Sequence, residues 1–382
     1  MLTEAQIQTG VRRGIITALQ RDALMALPPE GVDDRDEATP DEQLRLVGGG
    51  NDLFVTIGAV LFIFGGGFAL TPLLGADSPW LSVALAAGVW ALAEVVTRQK
   101  RMRLSSTVLA VLFMLLVLGM IGHVAQHWVD FAALETNPLA IVGLRADLGW
   151  VSLASAAVFV AGALIYFWRF RVPVIAALIA LAVTALAFTQ TALFLYDGVT
   201  TGDVAIPTLE QLPDVLRNAL YIPLICGLIV FLVAVALDLH DRERRTIWSD
   251  CAFWLHVVSA PLLVHPLFIM ATGQDVAFGT IKPGQDAVIG LVILIIGFTY
   301  VALVIDRRSL LVPTLAYFGS LGVANLVDET AQSAGIDPLA LVLIAVGGLI
   351  ILFGAGWQRI RKAVIRFTIP QGFARRLPPV TA

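Results

Sequence analysis

Along this chain, hydrophobic and polar positions alternate in long blocks rather than residue by residue. Ten runs, each mostly apolar, are separated by short polar connections. About 20 consecutive apolar residues are enough for a helix to span the hydrocarbon core of a bilayer. The runs fall at 53–74, 79–97, 104–122, 149–168, 174–195, 218–237, 250–271, 285–305, 310–326 and 338–357. They predict an all-α fold class: a polytopic transmembrane bundle of ten helices arranged as five hairpins, occupying residues 51–357.

The segment ahead of the first run has a different character. Over residues 1–27, Thr3 with Gln6 and Thr17 with Gln20 have the capping-box spacing, in which hydroxyl and amide satisfy free backbone N–H groups reciprocally. Ile7, Val11 and Ile15 form one apolar stripe, and Leu19, Leu24 and Leu27 another. This predicts a cytosolic helical hairpin cap, too small to hold a core alone. Residues 28–50 follow as an acidic, proline-punctuated flexible linker with little apolar surface to fold. With no cleavable signal expected, the first span serves as the insertion signal. Residues 358–382 read as a basic C-terminal tail.

Charge then orients the bundle. Of the 25 lysines and arginines, 22 lie in the N-terminal 50 residues, in alternate connections or in the tail. The turns concerned carry Arg98, Lys100, Arg101 and Arg103; Arg169 and Arg171; Arg242, Arg244 and Arg245; and Arg307 and Arg308. The other connections hold only Arg145, Arg217 and Lys282. Basic loops stay cytoplasmic, so both termini are expected in the cytosol and the chain in a bacterial inner membrane. Arg103, Arg171, Arg245 and Arg308 follow one another at 68, 74 and 63 residues. That spacing fits a hairpin duplicated in one orientation, and equally any polytopic chain whose basic turns share a side.

Composition agrees with the class: 58% hydrophobic, only 14% charged, and a mean hydropathy of +0.85. Asp77, Asp130, Glu135, Asp197, Asp203 and Asp328 are among the acids of the outer connections. An acidic outer face argues against nucleic acid as a partner; the lipid bilayer is the expected surrounding. Cys226 and Cys251 sit at different depths, so two free thiols are expected.

Polar side chains inside a membrane usually face the bundle interior or a cavity. Twenty residues beyond the last arginine of each basic turn stand His123, Thr191, His265 and Asp328, with Gln190 and Asn325 close by. Equal spacing along helices places them at similar depth near the outer interface. They suggest a polar vestibule lined by the third, fifth, seventh and ninth spans. The plain alternative is that helices become polar where they leave the membrane. His256 is the most interior histidine, followed by Pro261 and Pro266, each of which frees a carbonyl. It is either a hydrated spot or a core histidine bonded to a neighbour. His123, His265, His256, Gln190, Thr191 and Asn325 are therefore the candidate ligand-binding residues.

His123 and His127 have a metal-compatible i, i+4 spacing, but no third ligand is evident; no metal and no cofactor is expected. Glu94 with Arg98, and Asp238 and Asp306 beside their arginines, read as charge pairs snorkelling to the cytosolic interface. Gly58 and Gly65 in the first span, and Gly347 and Gly354 in the last, lie one heptad apart and suggest close packing of these spans, with each other as one arrangement. H-E-x-x-H, G-x-S-x-G and Walker A patterns are all missing, so the sequence gives no enzyme signature.

Gly14-Ile15-Ile16, Ala18-Leu19-Gln20 and Ala23-Leu24, followed by a many-hairpin core after Gly50-Asn51-Asp52, resemble a bacterial family of uncharacterised multi-pass membrane proteins with a short cytosolic helical N-terminal segment. The resemblance implies the class and no substrate. The expected function is binding or transport of a small solute or lipid headgroup through an outward-facing polar cavity. The alternative is a non-catalytic accessory or scaffold subunit docking a protein partner by its cytosolic cap.

Overall fold

The computed structural model describes residues 8–9, 11, 13–14, 17–25, 50–76, 78–130, 132, 136, 141–203, 212–241, 244–272, 285–311 and 338–370. Every regular element among them is helical. The chain divides into two units, residues 1–41 and 42–380.

The smaller unit contains α1 (Ala18–Met25). Its capping box is formed: Thr17 N–H donates to Gln20 Oε1 at 2.8 Å, and Gln20 N–H donates to Thr17 Oγ1 at 3.2 Å. Thr3 and Gln6 lie outside the described residues.

The larger unit runs α2 (Gly50–Leu74), α3 (Pro79–Ala93), α4 (Arg103–Ala125), α5 (Ile141–Phe170) and α6 (Val174–Thr201). After these come the short α7 (Leu212–Ala219), then α8 (Tyr221–His240), α9 (Ile247–Thr272), α10 (Gln285–Ile305) and α11 (Pro338–Thr368). Seven helical stretches among the described residues are long and apolar enough to cross a membrane, from Gly50–Leu74 to Ile247–Met270, and they coincide with the first seven expected spans. The protein is an integral membrane protein on that ground. α10 matches the eighth expected run, while most of the ninth lies outside the described residues. The helix of the tenth run, α11, continues past 357 to Thr368, so Arg359, Arg361, Lys362 and Arg366 are helical.

Sequential packing dominates. α2 packs on α3 and α4, α5 on α4 and α6, and α8 most extensively on α9. α9 also contacts α6 and α10, while α11 packs on α10. Of the apolar window of α9, 56% is buried, against 17–33% for the other six, which makes α9 the central helix. Pro261 and Pro266 both lie inside it.

Four helix-ending bends share one backbone solution. Arg101, Arg171, Arg244 and Asp306 adopt left-handed φ values of 53°, 53°, 53° and 58°. This conformation costs an L-residue roughly 1–2 kcal/mol and usually falls to glycine at a helix C-terminus. At the last bend the Arg307 N–H reaches back to the Ala302 carbonyl at 2.9 Å, closing the wide ring that ends α10. These bends define one end of the bundle, called here the basic end.

The basic end is also stitched by side chains. Asp52 at the start of α2 accepts from the backbone N–H groups of Leu104 at 2.9 Å and Ser105 at 3.0 Å, and from the Ser105 hydroxyl at 2.6 Å. A carboxylate on one span thus caps the N-terminus of another, where free N–H groups and the helix dipole both favour negative charge. Asp241 does the same for α9, accepting from Arg245 N–H at 3.1 Å and Thr246 N–H at 2.8 Å.

Candidate functional site

Two places in the larger unit hold chemistry. The first is an ionic cluster at the basic end, built by α8, α9, α10 and α11. Asp238, in the last turn of α8, lies against the guanidinium of Arg307, which follows α10; Arg307 Nε donates to Asp238 Oδ2 at 3.0 Å, and a second bond runs from Nη2 to Oδ1. Nη2 also donates to the Ser249 carbonyl at 3.1 Å. His256 Nε2 lies 2.9 Å from Asp238 Oδ2. With that carboxylate already held by a guanidinium, Nε2 is the nitrogen that carries the hydrogen. His256 Nδ1 is buried with no hydrogen-bond partner among the described residues.

Next to this triad, Asp306 receives Arg244 at 3.2 Å and the Trp357 indole N–H at 2.7 Å, with Arg361 Nε at 3.6 Å. Arg361 Nε also donates to the Leu303 carbonyl at 3.0 Å. Asp238, Asp306, Arg307 and Arg361 are all 5% exposed or less. Reading Asp238 and Asp306 as interfacial pairs snorkelling to solvent is therefore corrected. Their partners come from other helices, and the acids are enclosed because each is ligated by arginines brought in by tertiary packing. Burying such charges is tolerable only with this pairing. Glu94 departs in the same way: Arg169 of α5 approaches it to 2.5 Å, closer than Arg98 at 3.5 Å.

The second place is a groove of about 400 Å³ between α4, α5 and α6. It runs from Val111 to Ile121 on α4, from Phe159 to Ser152 on α5 and from Leu178 to Thr189 on α6. At about 1.5 Å per residue it occupies the middle of the bundle and the part remote from the basic end. Its walls are apolar apart from Ser152, Ser155 and Thr189. Leu115, Leu118 and Leu181 on its rim are 57%, 52% and 46% exposed, so it opens sideways to the surroundings of the bundle.

Beyond Thr189 and Ser152 the groove ends in a polar mouth. Gln190 Nε2 donates to the Ser152 hydroxyl at 2.8 Å and to the Gly149 carbonyl at 3.1 Å. One turn further out, Arg145 binds both carboxylate oxygens of Asp197, at 2.8 and 2.5 Å.

The six sequence candidates do not converge on one spot. His256 lies in the ionic cluster; His265, nine residues on, has an exposed side chain. Gln190 joins the groove mouth, whereas the Thr191 hydroxyl turns back onto its own helix, donating to the Ala187 carbonyl at 2.8 Å. His123 is half-buried on α4, its carbonyl 2.9 Å from His127 Nδ1. Asn325 lies outside the described residues.

The glycines are also placed differently. A Cβ added at Gly58, Gly65, Gly347 or Gly354 would meet nothing within 4 Å, so these positions do not mark tight contacts among the described helices. Gly227 of α8 does: a Cβ there would lie 2.8 Å from Leu262 Cβ and 3.0 Å from the Leu262 carbonyl carbon. Among the described residues, no group of three or more His, Cys, Asp or Glu side chains is arranged to hold a metal ion.

The comparisons leave these two places to be judged on their geometry: no family model, no curated protein and no solved structure matches the chain.

Proposed function

We propose that the protein binds a membrane amphiphile in the groove between α4, α5 and α6, in a bacterial inner membrane, with its basic bends in the cytosol. The observation that carries this reading is the groove itself. Its volume of about 400 Å³ falls within the roughly 300–1,000 Å³ usual for small-molecule sites. Apolar walls and a sideways opening suit a hydrocarbon chain arriving from the bilayer. The hydroxyls of Ser152, Ser155 and Thr189 and the amide of Gln190 suit the polar region where such a chain begins. Transport or sensing of a lipid headgroup is the corresponding role. The ionic cluster serves a different purpose in this reading: it locks α8 to α11 together at the cytosolic side.

The test is native mass spectrometry of the full chain released from a mild detergent. The wild type is expected to carry a retained amphiphile, and Ala182→Trp, which fills the groove, to lose it with unchanged thermal unfolding. Equal retention by the filled variant would overturn the assignment.

A second reading rests on α1. Leu19 is 82% exposed on a helix in a separate unit, which fits a cap that docks a protein partner. Deleting residues 1–45 would then abolish function, while Ala182→Trp would leave it intact.

A further inference from the structure

An apolar groove facing lipid has little selectivity of its own, because the tails it would admit are as apolar as the leucines lining it. Selection among amphiphiles must come from polar contacts at the mouth. There the Ser152 hydroxyl donates to the Gly149 carbonyl, the Thr189 hydroxyl to the Ala185 carbonyl, and the Gln190 amide to Ser152 and Gly149, which leaves the guanidinium of Arg145, now on Asp197, as the donor that can be redirected.

Arg145 is the informative one. It is one of three basic residues in the connections remote from the basic end. On α5 it precedes Gly149 by one turn and Ser152 by two, so all three share a helix face. Its guanidinium lies down along that face: Nη1 is 2.8 Å from where a Cβ on Gly149 would stand. The absence of a side chain at 149 leaves room for the cation on the α5 face that carries Ser152, a residue of the groove wall. Gln190 reaches the same patch from α6 through the Gly149 carbonyl and Ser152. The present partner, Asp197, is 46% exposed and Arg145 26% exposed, so the pair stands where solvent and other anions reach it. It is an exchangeable partner.

Resting on the amphiphile reading above, we infer that Arg145 is the headgroup-recognition residue of the groove. It releases Asp197 to bind the phosphate of an anionic phospholipid whose tail lies between α4, α5 and α6. A guanidinium fork matches phosphate oxygens bidentately.

The experiment titrates the full chain in mild detergent with phosphatidic acid and with diacylglycerol of identical tails, read by native mass spectrometry. Wild type is expected to favour phosphatidic acid by about tenfold or more, the scale of one charge-assisted hydrogen-bond pair. Arg145→Gln should bring that preference close to one without changing diacylglycerol retention, and Asp197→Asn should increase it. Undiminished preference in Arg145→Gln, or no preference in the wild type, overturns the headgroup assignment while leaving the groove standing. If Ala182→Trp retains both lipids, it is the groove reading that fails. Displacement of phosphatidic acid by millimolar inorganic phosphate would make the free anion the ligand and overturn the amphiphile assignment.

Discussion

Gly227 of α8 and Leu262 of α9 meet so closely that the smallest side chain at 227 would collide with the Leu262 Cβ at 2.8 Å. Leu262 directly follows Pro261, within the most buried span of the protein. Gly227→Ala is therefore expected to force the helices apart and to destabilise by about 1–3 kcal/mol, the usual cost of overpacking. Gly58→Ala, with open space before it, should stay within about 0.5 kcal/mol of wild type. Thermal unfolding in detergent, with both variants side by side, decides this; equal behaviour of the two would contradict the packing described.

The Asp238–Arg307 pair predicts a non-additive result. Arg307→Met leaves a carboxylate enclosed with His256 alone and should destabilise by about 3–5 kcal/mol. Combining it with Asp238→Leu removes the stranded charge, and the double variant should melt above the single one. A double variant less stable than Arg307→Met would show that the pair is not the unit that matters.

What was readable beforehand divides by range. Hydropathy is a local property, so the first seven spans were legible to within a few residues. The helices overrun those runs: α5 begins at Ile141 and α6 reaches Thr201, because helical backbone continues into the polar interface. The shared bend geometry near Arg101, Arg171 and Arg244 left a trace in the spacing of basic residues, although spacing does not reveal a positive φ. The partners of Asp238 and Asp306 were not legible. Arg307 lies 69 residues from Asp238 and Arg361 lies 55 from Asp306, and in the sequence each acid has a nearer arginine that explains it cheaply. Glycine heptads are visible in the sequence, whereas the close approach is made by one glycine, Gly227, against one leucine, Leu262. Of the groove mouth, Gln190 was picked out from depth alone; Arg145 was counted only as an exception to the charge asymmetry.

Asp241 gives a pH prediction. Burial pushes its carboxyl upward, but hydrogen bonds from the Thr246 hydroxyl and the backbone N–H groups of Thr246, Arg245 and Ser249 outweigh it and hold the group below its ordinary value of 3.8. A lowered folded value means the stabilisation is complete above 3.8 and is lost as pH falls through the depressed value. Acid titration of unfolding should show wild type losing more stability in that window than Asp241→Asn. Parallel curves would remove Asp241 from the account.

Threading is tested by reporter fusions. A compartment-sensitive reporter after Asp77 and another after Lys100 should report opposite sides, with Lys100 cytosolic. Agreement between them would remove the orientation proposed for the groove.

Arg361 on the last described helix helps to neutralise Asp306, which lies a full span and connection earlier. Once α8, α9 and α10 are in place, Asp238 and Asp306 are matched by Arg307 and Arg244, so it is Arg361 that meets its carboxylate only when α11 docks. Before that docking the burden falls on α11, whose arginine would face the membrane without Asp306 and the Leu303 carbonyl.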